Sequence, residues 1–211
     1  MAILLHGAMP FFTTGMKWII VGLGNPEPTY KHTRHNAGRA VLDALALRYG
    51  FSDWEYKKQS DALLAKGDVE GTPALFALPQ TYMNESGKSL HTLVKDHAQI
   101  AQVIIIADEI DLPLGTWRIS FDRSSGGHNG LKSIEASLKT RAFIRIRVGI
   151  SPKDELGKVV KPKGEEEVLS FVLGKFTPDE RTILASVAGE ICTALPVILN
   201  QGYEEAMNKF N

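Results

Sequence analysis

The chain has 211 residues, 44% hydrophobic and 23% charged, an ordinary globular composition with enough apolar residues for one substantial core. Its 24 lysines and arginines balance 24 aspartates and glutamates. Net charge therefore excludes a strongly basic nucleic-acid binder, and any affinity for phosphates has to come from local distribution.

The first fifteen residues, MAILLHGAMPFFTTG, carry no lysine or arginine. A secretory signal needs a positive start, and a transit peptide needs arginines. Residues 1–15 read instead as a loose N-terminal extension, with the domain running from 16 to 211. Residues 18–21 form a short apolar run ended by Gly22, the pattern of a buried strand entering a turn. Val41, Leu42, Leu45 and Tyr49 recur at helical spacing, and Gly50 stops the helix. Residues 62–65 and 74–78 read as strands around the Gly71-Thr72-Pro73 turn. A helix is expected over 86–96. The β-branched run 103–107 marks a central strand covered on both faces. Strands are expected at 116–121 and 143–150, with a helix at 129–138 between them. Residues 151–167, rich in Lys, Glu, Pro and Gly, read as a mobile loop leading into a lid. Thr177-Pro178-Asp179-Glu180 starts a long helix to about Leu199, and a short amphipathic helix opens at Tyr203. No internal repeat or low-complexity segment interrupts the chain. No stretch approaches 18 consecutive apolar residues, so no membrane span is expected. Strands alternating with helices indicate an α/β layered domain.

Five short motifs carry chemistry. Gly22-Leu23-Gly24-Asn25-Pro26 follows the first strand, but Glu27 stands where a dinucleotide fold needs its third glycine. The other readings are a structural turn and a turn presenting the Asn25 amide at a strand end. Thr33-Arg34-His35-Asn36 places an imidazole, the usual general base near neutral pH, just before a helix. His32 and His35 are three apart, but no nearby cysteine or acidic cluster completes a metal site. In Thr81-Tyr82-Met83-Asn84-Glu85-Ser86, Asn84 offers another amide in a loop entering a helix, and the structural alternative is that Asn84 or Ser86 caps that helix. Asp108, Glu109 and Asp111 follow the most buried strand, where carboxylates can bind a metal, act as an acid–base pair or orient a histidine. Orientation by Asp108 is favoured. Gly126-Gly127-His128-Asn129-Gly130 exposes backbone N–H groups at a helix start and supplies another amide.

Neither a Gly-x-Ser-x-Gly elbow nor a P-loop, His-Glu-x-x-His or Cys-x-x-Cys motif occurs. Water is then the expected nucleophile, placed by amides that donate and accept without changing charge. Cys192 is the single cysteine, so no disulfide forms within the chain, and the context reads as cytoplasmic. Between Leu112 and Lys163, eleven basic side chains face four acidic ones. That stretch is either a solvated basic face or a phosphate-binding one.

VGLGNP, TRHNAG, TYMNESGKS, DEIDLP, GGHNGLKSI, RIRVGI and FVLGKF occur in the order and spacing of bacterial-type peptidyl-tRNA hydrolases, which the chain resembles from about Met16 onward. The resemblance implies a single-domain, three-layer α/β/α fold with a mixed twisted sheet. It implies a monomer with no cofactor and no metal. Its substrate would be peptidyl-tRNA, cleaved at the ester between the peptide carboxyl and the terminal ribose. By motif position, His35 resembles the base acting on water and Asp108 its partner. Asn25, Asn84 and Asn129 match substrate-positioning amides, and Tyr30 and Met83 match residues lining the substrate cleft. Arg118, Lys132 and one of Arg145 or Arg147 look like phosphate contacts. The chain departs from many relatives at Ala107 and Ser120, where they carry histidine and a basic residue, and in its long loop after Ser151. Two alternatives remain: a splicing cofactor that keeps this fold, and an esterase of small substrates.

Overall fold

The computed structural model describes residues 18–211, and the expected extension over residues 1–15 lies outside them. Among the described residues there are seven strands and six α-helices. They are β1 (Trp18–Gly22), α1 (Ala37–Tyr49), β2 (Glu55–Lys57), β3 (Ala62–Val69), β4 (Thr72–Pro79), α2 (Ser86–Leu93) and β5 (Val103–Pro113). There follow β6 (Trp117–Phe121), α3 (Asn129–Leu138), β7 (Ile144–Ser151), α4 (Glu165–Leu173), α5 (Pro178–Gln201) and α6 (Tyr203–Phe210). The strands form one mixed sheet in the order β2-β3-β4-β1-β5-β7-β6. Neighbours from β4 through β1 and β5 to β7 are parallel, and the outer pairs are antiparallel.

Alternation along the central strands creates the three layers. Trp18, Ile20, Ile104 and Ile106 pack on one face with α1 and α5 residues such as Leu42, Leu45, Ile191 and Leu195. Ile19, Val21, Val103 and Ile105 pack on the other with Leu90, Leu131 and Ile134 of α2 and α3. Fully apolar strands are what a sheet buried on both faces requires. Close contact between α1 and the sheet depends on Gly38, because an added Cβ would lie 2.2 Å from the Ile106 carbonyl oxygen. The catalytic-type turn at 33–36 is thereby held against the end of β5.

Four elements differ from the sequence expectations. Strand β2 is short and exposed, with too little apolar pattern to announce itself. Strand β5 runs to Pro113 and carries Asp108 into the ladder rather than past its end. Helix α2 stops at Leu93. Helix α4 begins at Glu165, inside the segment read as loop, with three glutamates in its first turn complementing the helix dipole. Helix α5 bears on the expectation that no segment spans a membrane. It is long and apolar enough to cross one, with a mean hydropathy of 1.9 over 18 residues, although half of that window is buried in the fold. Its apolar face is consumed by packing against α1 and the sheet.

Candidate active site

Asp108 sits midway along β5, where the fully buried part of that strand ends, and is 6% exposed. Two imidazoles converge on it. His35, from the turn before α1, places Nδ1 2.9 and 3.1 Å from the two carboxylate oxygens. His128, the residue that caps α3, places Nε2 3.0 Å from Oδ1. The ring centroids of the two histidines lie 4.9 Å apart.

Backbone geometry settles one tautomer. Nδ1 of His128 accepts from the N–H groups of Gly130 and Leu131 at 3.1 and 3.3 Å. Backbone amides only donate, so the ring proton sits on Nε2 and is given to Asp108. Asp108 also accepts from Nδ1–H of His35. Nε2 of His35 has no hydrogen-bond partner among the described residues. Burial by itself lowers the His35 pKa, but the Asp108 charge and hydrogen bond outweigh it and hold the ring above the usual 6.5. Burial likewise opposes ionisation of Asp108, yet the two histidines hold its carboxyl well below the usual carboxylate range. His35, Asp108 and His128 offer donor atoms within 4.8 Å of one another, a nitrogen and oxygen set of the kind zinc accepts. The facing atoms are already hydrogen-bonded to one another, which fits a carboxylate that orients two imidazoles.

His128 and Asn36 were not among the residues singled out from the sequence. The signal for His128 lay in GGHNG, where attention fell on the glycines and Asn129. Asn36 accepts the Asn25 N–H at 2.8 Å and donates to the Asn25 carbonyl at 2.9 Å. This two-point grip holds the Gly24–Asn25 turn beside the residue next to His35. The Asn25 side chain in turn accepts the Met83 N–H at 2.8 Å through Oδ1. That bond fixes which end of the amide is oxygen and leaves Nδ2 as a donor.

The other predicted residues fall into two groups. His35, Asp108, Asn129, Lys132 and Arg147 line one cavity of about 580 Å³ together with Val168, Leu169 and Val172 of α4. Buried Met83 packs beside Gly130 and His128, next to that cavity, as its sulfur would meet an added Gly130 Cβ. Asn84 follows Met83 and is exposed, Tyr30 is half-buried, and neither lines the cavity. Asn84 is not the helix cap that the structural reading allowed, since Glu85 holds that position without a side-chain bond. His32 does not join His35. It is exposed, and burial together with Arg181, Lys31 and Lys175 lowers its pKa.

The arginines divide by burial. Arg118 and Arg147 are cross-strand partners on β6 and β7, and Arg147 is offset by Glu109 at 3.2 Å. Arg145 corrects the expectation that it is an accessible phosphate contact. It is 1% exposed and donates to Glu135 at 3.0 Å and to the Ser124 carbonyl at 2.8 Å. Its task is to brace the approach to GGHNG. Arg145→Ala strands the Glu135 carboxylate and is expected to cost about 3 kcal/mol of stability. Urea denaturation checks this, and an unchanged midpoint refutes it.

The family model described as Peptidyl-tRNA hydrolase matches residues 19–211. A peptidyl-tRNA hydrolase from Chloroflexus aurantiacus is 41% identical, the match covering 92% of this chain and 98% of that one. One from Syntrophotalea carbinolica is 40% identical over 92% of this chain and 96% of its own length. The crystal structure of the Acinetobacter baumannii peptidyl-tRNA hydrolase superposes with a TM-score of 0.82 at 30% identity, covering 95% and 97% of the two chains. With the His–Asp–His cluster and the amide turns in place on that shared fold, the chain belongs to the peptidyl-tRNA hydrolase family.

Proposed function

We propose that this protein hydrolyses the ester between the C-terminal carboxyl of a peptide and the 3'-terminal ribose of tRNA, with His35 as general base. The observation that carries the reading is the pairing of His35 Nδ1 with a buried, ionised Asp108 at the wall of an open cavity. That pairing puts the lone pair on Nε2, where it takes a proton from water as the oxygen attacks the ester carbonyl. Asp108 stabilises the imidazolium that results. The imidazolium then returns the proton to the departing ribose oxygen, and the base is regenerated. Amide donors suit the oxyanion of the tetrahedral intermediate, and Nδ2 of Asn25 is one held in a fixed orientation. Asn84, Asn129, Tyr30 and Met83 are proposed to position the peptide and terminal adenosine, on the strength of their motif positions.

Lys132 and Arg147 share the cavity with His35, and Arg118 lies beside Arg147. They are the proposed phosphate contacts, so acceptor-end phosphates would approach from the β6–β7 side. Replacing Lys132 and Arg147 together is expected to weaken tRNA binding and to reduce the slope of affinity against salt by about two. Fluorescence titration at several salt concentrations measures that slope, and an unaltered one places the phosphates elsewhere. A cytoplasmic monomer suits this activity, since peptidyl-tRNA is released into that compartment.

The pH profile tests the base. His35 works only when its Nε2 is unprotonated, and Asp108 raises its pKa. The acid limb of kcat/KM is therefore expected above pH 6.5, with activity lost at a higher pH than for an unperturbed histidine. A profile flat from pH 5 to 8 removes His35 from the role. The direct test is release of peptide from purified peptidyl-tRNA.

A further inference from the structure

Helix α4 supplies part of the wall of the cavity that Asp108 lines, and its C-terminal end is tied to the turn before His35. At the start of the catalytic turn an isolated antiparallel bridge joins it to the segment that leaves α4. The Arg34 N–H donates to the Gly174 carbonyl at 2.9 Å, the Phe176 N–H donates to the His32 carbonyl at 2.8 Å, and Thr33 bridges Lys175. The residue immediately before His35 thus shares a backbone bond with the C-terminal end of the wall.

The Arg34 side chain reinforces this junction from three directions. Its guanidinium lies 4.8 Å from the centre of the Phe171 ring, on α4, and 5.6 Å from that of Phe176, beyond it. One terminal nitrogen reaches both carboxylate oxygens of Glu180, at 3.0 and 3.1 Å. Glu180 is also the capping-box residue of α5, where it accepts the Thr177 N–H at 2.7 Å. One side chain therefore joins the end of α4, the start of α5 and the turn that carries His35. Gly174 leaves the space for it. That glycine has an ordinary φ of −64°, but an added Cβ would stand 2.8 Å from Nη1 of Arg34. Close approach of the guanidinium is the reason for glycine there, as the backbone angle makes no demand.

We infer that Arg34 is a positioning residue for the hydrolysis, setting the place of helix α4 against the cavity that His35 and Asp108 line. It does not face the reacting atoms. Its effect passes through the α4 side chains Val168, Leu169 and Val172, which supply apolar contact to whatever occupies the cavity. Losing the tie lets α4 occupy a wider range of positions and weakens that contact. The His35–Asp108 pair itself stays intact, because neither residue bonds to the Arg34 side chain.

The assignment rests on the hydrolase reading above, and the experiment separates the two. Steady-state hydrolysis of peptidyl-tRNA is compared for wild type, Arg34→Ala and Gly174→Ala. Arg34→Ala is expected to raise KM about tenfold, within the usual range for a residue that acts through a neighbouring element. Its kcat and the acid limb of its pH profile are expected to stay close to wild type. Gly174→Ala, which displaces the guanidinium without removing charge, is expected to move KM in the same direction by less. A merely structural role lowers the folded fraction, which reduces apparent kcat and leaves KM alone. An inactive wild type sinks the hydrolase reading, whereas an active wild type with unchanged KM in both variants sinks only this assignment. Should Arg34→Ala fail to fold, Glu180→Gln keeps the capping box and removes only the charge partner. A KM unchanged in both Glu180→Gln and Gly174→Ala then overturns the assignment. The second readout is the distance between nitroxides at Ser170→Cys on α4 and Ala136→Cys on α3, in a Cys192→Ser background. The distribution is expected to be narrow with Arg34 and broad without it, and equal widths overturn the proposal.

Discussion

Replacing Asp108 with asparagine is expected to cut turnover by about 10²–10⁴, as much as losing the general base outright. The argument is one of hydrogen-bond arithmetic. Asp108 accepts from Nδ1–H of His35 and from Nε2–H of His128. Asparagine has one acceptor oxygen and a donor NH₂ in the same two places. His128 cannot adjust, because its Nδ1 is already committed to the Gly130 and Leu131 amides and its proton must stay on Nε2. The oxygen of asparagine therefore takes the Oδ1 place, 3.0 Å from Nε2 of His128 and 2.9 Å from Nδ1 of His35, and its NH₂ takes the Oδ2 place, 3.1 Å from the same Nδ1. That donor and the loss of the carboxylate charge both disfavour a proton on Nδ1, so His35 shifts toward the tautomer protonated on Nε2, which cannot accept a proton from water. The double variant Asp108→Asn/His128→Ala frees the oxygen for His35 and is expected to recover part of the loss. Single-turnover hydrolysis on samples shown by circular dichroism to be folded measures both. Near-normal turnover in Asp108→Asn, or no recovery in the double variant, contradicts the tautomer account.

His35→Ala is expected to lower turnover by the same order, about 10²–10⁴, because it removes the atom that takes the proton. Its effect on tRNA affinity is expected to be small. Lys132 and Arg147, the proposed phosphate contacts, make no hydrogen bond or ion pair to His35, and Arg147 is held by Glu109. The residual rate should not show the acid limb of the wild type, since the titrating group is gone. Turnover assays with a chelator present, together with a binding titration, separate the chemical step from recognition. Retained turnover in His35→Ala would end the general-base role, and a large loss of affinity would show that His35 serves binding instead.

Much of the fold was legible because its signals are local. The runs at β1 and β5 are buried on both faces and therefore apolar without alternation, and the glycine and proline turns mark where they end. The capping box at Thr177 announces α5 from four residues. What stayed hidden depends on context. Strand β2 exists only because β3 offers it an edge, pairing Tyr56 with Leu63. Helix α4 opens on three glutamates that follow a charged, loop-like stretch, and its far end is held by contact with the catalytic turn through Arg34 and Phe171. Hydropathy along 178–201 likewise cannot say whether an apolar face meets lipid or a neighbouring helix, and half of its most apolar window is buried in the fold.

The candidate site divides along the same line. The residue types were readable from spacing alone: a histidine before a helix, a carboxylate after a buried strand, amides at turns, each a position where a fold of alternating strands and helices presents polar groups. Which of them touch is a matter of long-range geometry. Asp108 is 73 residues from His35 and 20 from His128, and only the sheet order that sets β5 beside β1 and β7 brings them together. The same cause separated two arginines that are neighbours in RIRVGI. One lies 1% exposed against Glu135 and the other lines the cavity. Side chains two apart on a strand share a face, so burial, which the layers above and below impose, decided what each arginine is free to do. Sequence set which chemical groups this protein holds at its strand ends. Tertiary packing chose which of them became partners, because hydrogen bonds and burial act over ångströms in space and not over positions along the chain.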